Sequence, residues 1–399
     1  MLHKFIVYSI FILSTKIFNY NSLSGTTQRG LLYLLFFIMM VTIIRKDTLL
    51  DKSLTFRKPI LIMFSCMLLS SIPCKIYFDQ SFSDSLIALG FFVLPFLFYF
   101  YLHSIKIKEK QLIRLFFWMS VIAVSIQIIQ QLYPQLAVFG IHQDDGIDSF
   151  GVRNDLYRFR VNFNGIFTFP ILFLFWTQIL KRFSLNRFLF VLLFLASIYL
   201  ALTRSVYVTV ALCMAISIVL FRKTIKFIYV FLAFLVLGII AYSSFDTLFS
   251  ALIEKSQNEI DNEDYIRYLS YEYFFDESKK TPLNFLFGHC VPRGGSAYDA
   301  FIRDLGESSH FYSSDVGCVG AAYRFGYIYV ALFYLIQFVC IFKYKQNAPQ
   351  YVILTIIAIT IYSVMIFMIS IPIGALVWTS MLYIIDLYKY QSPQRYIHQ

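Results

Sequence analysis

The chain has 399 residues, of which 59% are hydrophobic and 14% charged, and its formal net charge is +11. Soluble domains carry about a quarter charged residues, so this composition, with a mean hydropathy of +0.68, excludes an ordinary soluble protein. Nucleic-acid binding is excluded by distribution, because the basic residues fall in short clusters between apolar runs, as the positive-inside rule requires.

A helix needs roughly 17 to 25 apolar residues to cross a bilayer. By that measure the sequence reads as an all-α polytopic membrane protein with about 12 transmembrane helices. The spans fall near 5–20, 28–44, 59–73, 85–103, 113–133, 162–180, 187–202, 205–221, 227–244, 319–342, 351–369 and 372–388. The first run, Phe5 to Tyr20, follows Lys4 but precedes no small-x-small cleavage site, so it reads as a retained helix. If the N-terminus is cytoplasmic, the inside segments hold 20 of the 34 basic residues and only four of the 23 acidic ones. Both termini are then cytoplasmic, and the two long loops, 134–161 and 246–318, are on the outer side. With no repeat and no linker, residues 1–399 read as a single membrane domain.

Chemistry is expected in the long loops. In the first, Asp144, Asp145 and Asp148 precede Arg153, Arg158 and Arg160. Three arginines so close together could grip an anion through their planar forks, or could be neutralised by the aspartates. Arg160 is favoured because it lies nearest the membrane. Arg204, between two short spans, either snorkels or faces a cavity. In the second loop Arg267 lies one turn from Asp264 and Glu263, so a local ion pair accounts for it unless a ligand does. His310 can exchange a proton near neutral pH, or serve as a hydrogen-bonding loop residue. Asp315 could orient it, act as base itself, or cap the helix that follows. Six cysteines without a CxxC pair give no metal site. Cys290 and Cys318 share the loop and are either a disulfide in an oxidising compartment or two free thiols. A P-loop, HExxH, GxSxG and Asp-x-Asp are all absent.

Four stretches together resemble the bacterial O-antigen polymerase and O-antigen ligase superfamily. Residues 160–170, RVNFNGIFTFP, are similar to its Arg, Gly-aromatic, Pro entry into a span. Leu202-Thr203-Arg204-Ser205 resembles its Ser/Thr-Arg turn. Residues 264–288, DYIRYLSYEYFFDESKKTPLNFLFG, resemble its loop pattern of an Arg, an aromatic, Pro-Leu and Phe-Gly. Ser309-His310, Asp315-Val316-Gly317 and Phe325-Gly326 are similar to the end of its large periplasmic loop. His310 is followed by Phe311 where ligases carry His-Asn, and Arg153 to Gly165 is one residue longer than the Arg-x10-Gly spacing of some polymerases.

The resemblance implies a metal-independent, cofactor-free glycosyltransferase of the bacterial inner membrane with its active site facing the periplasm. It would polymerise repeat units, moving a glycan from undecaprenyl pyrophosphate to a sugar hydroxyl of a second lipid-linked repeat. Arg204 and Arg267, with Arg160 as a third candidate, would hold the pyrophosphate. His310 would be the base and Asp315 its orienter or rival. A chain-length regulator is an optional partner. The alternatives are an O-antigen ligase that transfers to lipid A core and a polysaccharide transporter or flippase.

Overall fold

The computed structural model describes residues 2–15, 25–134, 139, 152–153, 156–157, 165–201, 203–221 and 266–389. Helices cover most of the described parts of eleven of the twelve predicted segments, while the ninth, 227–244, and residues 16–20 and 162–164 of the first and sixth lie outside the described residues. Among the described residues five helices are long and apolar enough to cross a membrane. They are Thr27–Arg45, Arg57–Phe78, Phe82–Ile105, Glu109–Leu132 and Gly317–Lys343. Large apolar side chains such as Phe37, Trp118 and Phe342 stand exposed on them, as on helices solvated by lipid. This is the architecture of a membrane-embedded helical protein.

The chain divides into two compact units. The first comprises Met1–Ile38, Ile107–Asp261 and Pro349–Ala358. It contains α1 (Leu2–Ser14), most of α2 (Gly25–Arg45), α7 (Glu109–Leu132), α8 (Phe169–Lys181), α9 (Leu185–Leu200) and α10 (Arg204–Leu220). Phe117 of α7, Phe175 of α8 and Phe190 and Phe194 of α9 form one aromatic cluster, with Phe175 and Phe190 stacked at 5.0 Å. Two buried polar pairs add direction to this packing. Ser197 Oγ donates to Gln127 Oε1 at 2.7 Å, and Trp176 Nε1 donates to Ser217 Oγ at 2.9 Å. In apolar surroundings such groups need partners, and these join α9 to α7 and α8 to α10. At the end of α7, Gln130 bonds both to the N–H and to the carbonyl of Phe139, and Gln131 does the same with Tyr157. Two side-chain amides thereby fasten the first long loop, where β1 (Val152–Arg153) pairs antiparallel with β2 (Leu156–Tyr157).

The second unit comprises Met39–Lys106, Asn262–Ala348 and Ile359–Gln399. It contains α3 (Arg57–Leu69), α4 (Ser71–Phe78), α5 (Phe82–Val93), α6 (Phe98–Ile105), α11 (Ile266–Lys279), α12 (Pro282–Phe287), α13 (Ala297–Ser309), α14 (Gly317–Lys343) and α16 (Pro372–Lys389). The intervening α15 (Gln350–Met365) is shared between the units. α16 is the central helix, buried without interruption from Pro372 to Asp386. Its Trp378 meets Phe96 edge-on at 5.7 Å and lies 5.9 Å from Phe333 of α14. A helix apolar on every side has to be enclosed, which explains this placement. The spans around it are broken. Pro95 sits in the 3-10 turn Leu94–Leu97 that links α5 to α6, where its missing N–H is tolerated. Between α3 and α4, Ser70 and Ser71 turn their hydroxyls back onto the carbonyls of Met67 and Leu68, both at 2.6 Å.

Candidate functional site

Residues 266–316 form a polar helical cap on the N-terminal end of α14. Its helices are set by capping residues legible in the sequence. Thr281 accepts from the N–H of Asn284 at 3.1 Å and is followed by Pro282, a good first helical residue. Ser296 accepts from Asp299 N–H, also at 3.1 Å, and opens α13. The cap has its own small core of Phe274, Val316 and Tyr323, against which Tyr271, Tyr273, Ile302, Leu305, Phe311 and Val319 pack.

What fixes the cap is a kink in α14. Gly326 has φ 83 and ψ 162, a conformation open essentially to glycine alone. The kink frees the carbonyls of Tyr323 and Arg324, which accept from His289 N–H and Cys290 N–H, each at 2.7 Å. The two backbones approach so closely that a Cβ on Gly326 would lie 1.9 Å from Leu286 O, and one on Gly288 would lie 2.5 Å from Arg324 C. Phe287-Gly288 and Phe325-Gly326 are thus the two halves of one clasp.

Side chains complete the docking. Gln80, buried in the turn between α4 and α5, accepts from Arg293 N–H at 2.8 Å and Ser296 Oγ at 3.0 Å. Its amide nitrogen donates to Val291 O and Ser85 Oγ, both at 3.0 Å. Phe78 stacks on Tyr298 at 4.0 Å, and His289 stacks on Tyr323 at 4.6 Å. Burial pushes the His289 imidazole down to about 4, outweighing the bond to Tyr323 O that favours its charged form, so it is neutral and structural. Cys290 and Cys318 are both free thiols. Cys74 of α4 is a close electrostatic neighbour of Cys290, one the loop reading did not contain.

The expected catalytic residues lie on the rim of the cap. His310 ends α13 in the left-handed region, φ 56, with an exposed side chain. Asp315 is exposed and accepts from Ser314 Oγ at 3.1 Å. Among the described residues no hydrogen bond or ion pair joins His310 to Asp315, and the α14 N-terminus at Val316 has no side-chain cap. Arg267 is exposed on the first turn of α11, one turn before Tyr271, whose hydroxyl donates to Val364 O at 3.1 Å. Asp264 and Glu263 lie outside the described residues, as does Arg160. Arg204 is the first residue of α10, in the other unit, so the cap gathers Arg267, His310 and Asp315 from the predicted set.

The residue that sequence reasoning passed over is Arg324. Its guanidinium is half-buried at the foot of the cap and donates to Ser313 Oγ from Nε at 3.1 Å and Nη2 at 2.8 Å. None of the ion pairs among the described residues involves it. Two tyrosines, Tyr298 and Tyr323, and Asp315 contribute to its electrostatic surroundings. The signal was available, since Arg324 is the only charged residue of Gly317–Lys343 before the terminal lysine, and a charge inside an apolar span marks a function by default. Arg303, by contrast, is exposed and paired with Asp299. Among the described residues no three His, Cys, Asp or Glu side chains cluster as metal ligands. The chain matches no protein-family model, and no curated protein matches it in sequence.

Proposed function

We propose that the protein is a surface-polysaccharide repeat-unit polymerase acting on undecaprenyl-pyrophosphate-linked glycans, with the cap as the seat of its chemistry on the periplasmic side of the inner membrane. The observation that carries this reading is Arg324, a cation held at the foot of the cap by a neutral hydroxyl, with no carboxylate in ion-pair contact among the described residues. A guanidinium placed this way keeps donors for an anionic oxygen. Arg267, exposed on the same cap, supplies a second cation.

In the reaction a sugar hydroxyl oxygen attacks the anomeric carbon, the bond from that carbon to the pyrophosphate oxygen breaks, and the pyrophosphate leaves with the bonding pair. Charge grows on the leaving group as the bond lengthens, so fixed cations stabilise the transition state more than the ground state. His310, whose exposed side chain makes no hydrogen bond among the described residues, takes the proton of the attacking hydroxyl.

The test is the surface-glycan ladder of cells lacking this gene, complemented with wild type, Arg267→Ala, Arg324→Ala, His310→Ala and Arg303→Ala at matched membrane levels. The expected result is a single-repeat band in the null and a ladder with wild type and Arg303→Ala. The three site variants should fall short by about 3 kcal/mol of transition-state stabilisation, roughly a hundredfold in rate. Full-length lipid-linked glycan without transfer to core would identify a ligase, and an unchanged ladder in the null would refute the polymerase.

A further inference from the structure

At the other end of α14, roughly 30 Å from Arg324 at about 1.5 Å per residue, the second unit contains a cavity of about 460 Å³. Five cations line it, Lys52, Arg57, Lys58, Lys343 and Lys389, and among the described residues no carboxylate does. They come from three separate parts of the chain, the entry to α3 and the ends of α14 and α16, so the fold assembles the charge. Two nearby carboxylates have local partners, and one of them, Asp51, also interacts electrostatically with Arg57. Asp51 accepts from Ser53 N–H at 2.9 Å, and buried Asp386 accepts from Tyr99 OH and, at 3.3 Å, from Thr55 N–H. Lys389 Nζ donates to Thr55 Oγ1 at 3.1 Å, and Arg57 donates to Leu49 O. Lys52 and Lys58 are exposed, and their ammonium groups make no hydrogen bond or ion pair among the described residues.

A second observation points the same way. α3 begins at this cavity with Arg57 and Lys58 in its first turn and no acidic residue there. Phe56 N–H donates to Tyr99 OH and Arg57 N–H to Leu54 O, and residue 59 is proline, so Lys58 supplies the remaining first-turn N–H. The positive end of the helix dipole disfavours cations and calls for an anion. Two cations placed against that preference, inside a concave wall of like charge, are stabilised together if an anion sits between them.

We propose that this cavity is a binding site for a phosphate-bearing anion, supplied either by the headgroup of an anionic phospholipid or by phosphate in solution. The Lys58 N–H and the remaining guanidinium donors of Arg57 suit phosphate oxygens, and the Lys side chains supply charge. Asn347, also on the wall, adds a neutral amide. This goes beyond the glycosyl-transfer reading and does not depend on it.

The full chain, delipidated in an uncharged detergent, is melted against short-chain phosphatidylglycerol, short-chain phosphatidylcholine and inorganic phosphate. Wild type should be stabilised by phosphatidylglycerol or phosphate and far less by the zwitterionic lipid. Response to phosphatidylglycerol alone identifies the lipid source, and response to phosphate alone identifies the soluble one. Each removed cation should weaken the response about fivefold, so Lys58→Gln with Lys343→Gln needs roughly 30-fold more ligand for the same shift. Lys58→Arg should behave as wild type. Lys52→Gln, at an exposed loop position that leaves folding intact, should show the fivefold effect by itself. Absence of any shift overturns the proposal. So does an equal loss in Lys108→Gln with Lys110→Gln, cations outside the cavity, since that outcome means general attraction to a basic surface.

Discussion

Substituting Gly326 by Ala tests whether the backbone clasp holds the cap. The new Cβ would stand 1.9 Å from Leu286 O, 2.3 Å from Leu286 C and 2.6 Å from Phe287 N, all backbone atoms that cannot swing aside. α12 has to retreat by about 1 Å before carbon and oxygen reach a tolerable separation. That shift carries the 2.7 Å bonds from His289 N–H and Cys290 N–H beyond hydrogen-bonding length. Two buried donors left unpaired cost about 1–3 kcal/mol each, and a side chain at φ 83, ψ 162 costs about 1–3 kcal/mol more. Even the lower part of that sum, about 4 kcal/mol, raises the undocked population roughly a thousandfold. The readout is the Cys290 thiol, fully buried in the docked state. In full-length protein with Cys74→Ser and the other four cysteines changed to Ala, maleimide labels Cys290 at a rate that tracks undocking. Gly295→Ala is the control, because it too has a positive φ, 84, but its Cβ meets nothing within 4 Å. Labelling in Gly326→Ala should be accelerated by orders of magnitude and in Gly295→Ala by a few-fold. Equal rates in the two variants would refute the clasp.

The remaining expectations use the same region. His289 has a folded-state value of about 4 against an ordinary 6.5, so the unfolded chain binds its proton first as pH falls. Its contribution is therefore complete above 6.5 and is lost as pH drops towards 4, by at most about 3 kcal/mol. Melting of the full chain across that window should show the loss, and His289→Gln should flatten it; an equally steep profile in the variant would place the titration elsewhere. Mild oxidation should couple Cys290 to Cys74, read as a cross-linked peptide pair by mass, whereas a Cys290–Cys318 pair would contradict the packing of the cap. Arg324→Lys keeps the charge but not the fork that engages Ser313 through two nitrogens, so it should recover only part of the ladder lost in Arg324→Ala.

The helices were legible because a bilayer imposes a length on every apolar run, and that length is a property of the local sequence alone. The capping residues Thr281 and Ser296 were legible for the same reason, acting within three residues of themselves. Gln80 was not. Its partners Val291, Arg293 and Ser296 lie 211, 213 and 216 residues away, and a lone Gln between two apolar runs has no local pattern to show which backbone it will satisfy. Charge misled in one direction only. Loop arginines drew notice as a group, while Arg324 sat inside an apolar run that was read for its length, although a cation is costlier there than in a loop.

Arg324-Phe325-Gly326 explains why the candidate site stands at this point of the span. An arginine inside an apolar helix is tolerated when it reaches a polar partner, and an unkinked α14 would satisfy its own carbonyls and leave the cap to dock through side chains alone. Gly326 breaks the helical pattern two residues after the arginine, and the freed carbonyls of Tyr323 and Arg324 become acceptors for His289 and Cys290. The cap they recruit carries Ser313, the hydroxyl that engages the Arg324 guanidinium. The residue that most needs a polar environment is therefore supplied with one by the kink beside it. Docking of the cap and placement of the Arg324 cation are one structural event, so loss of the clasp in Gly326→Ala should cost the Arg324 site together with the Cys290 protection.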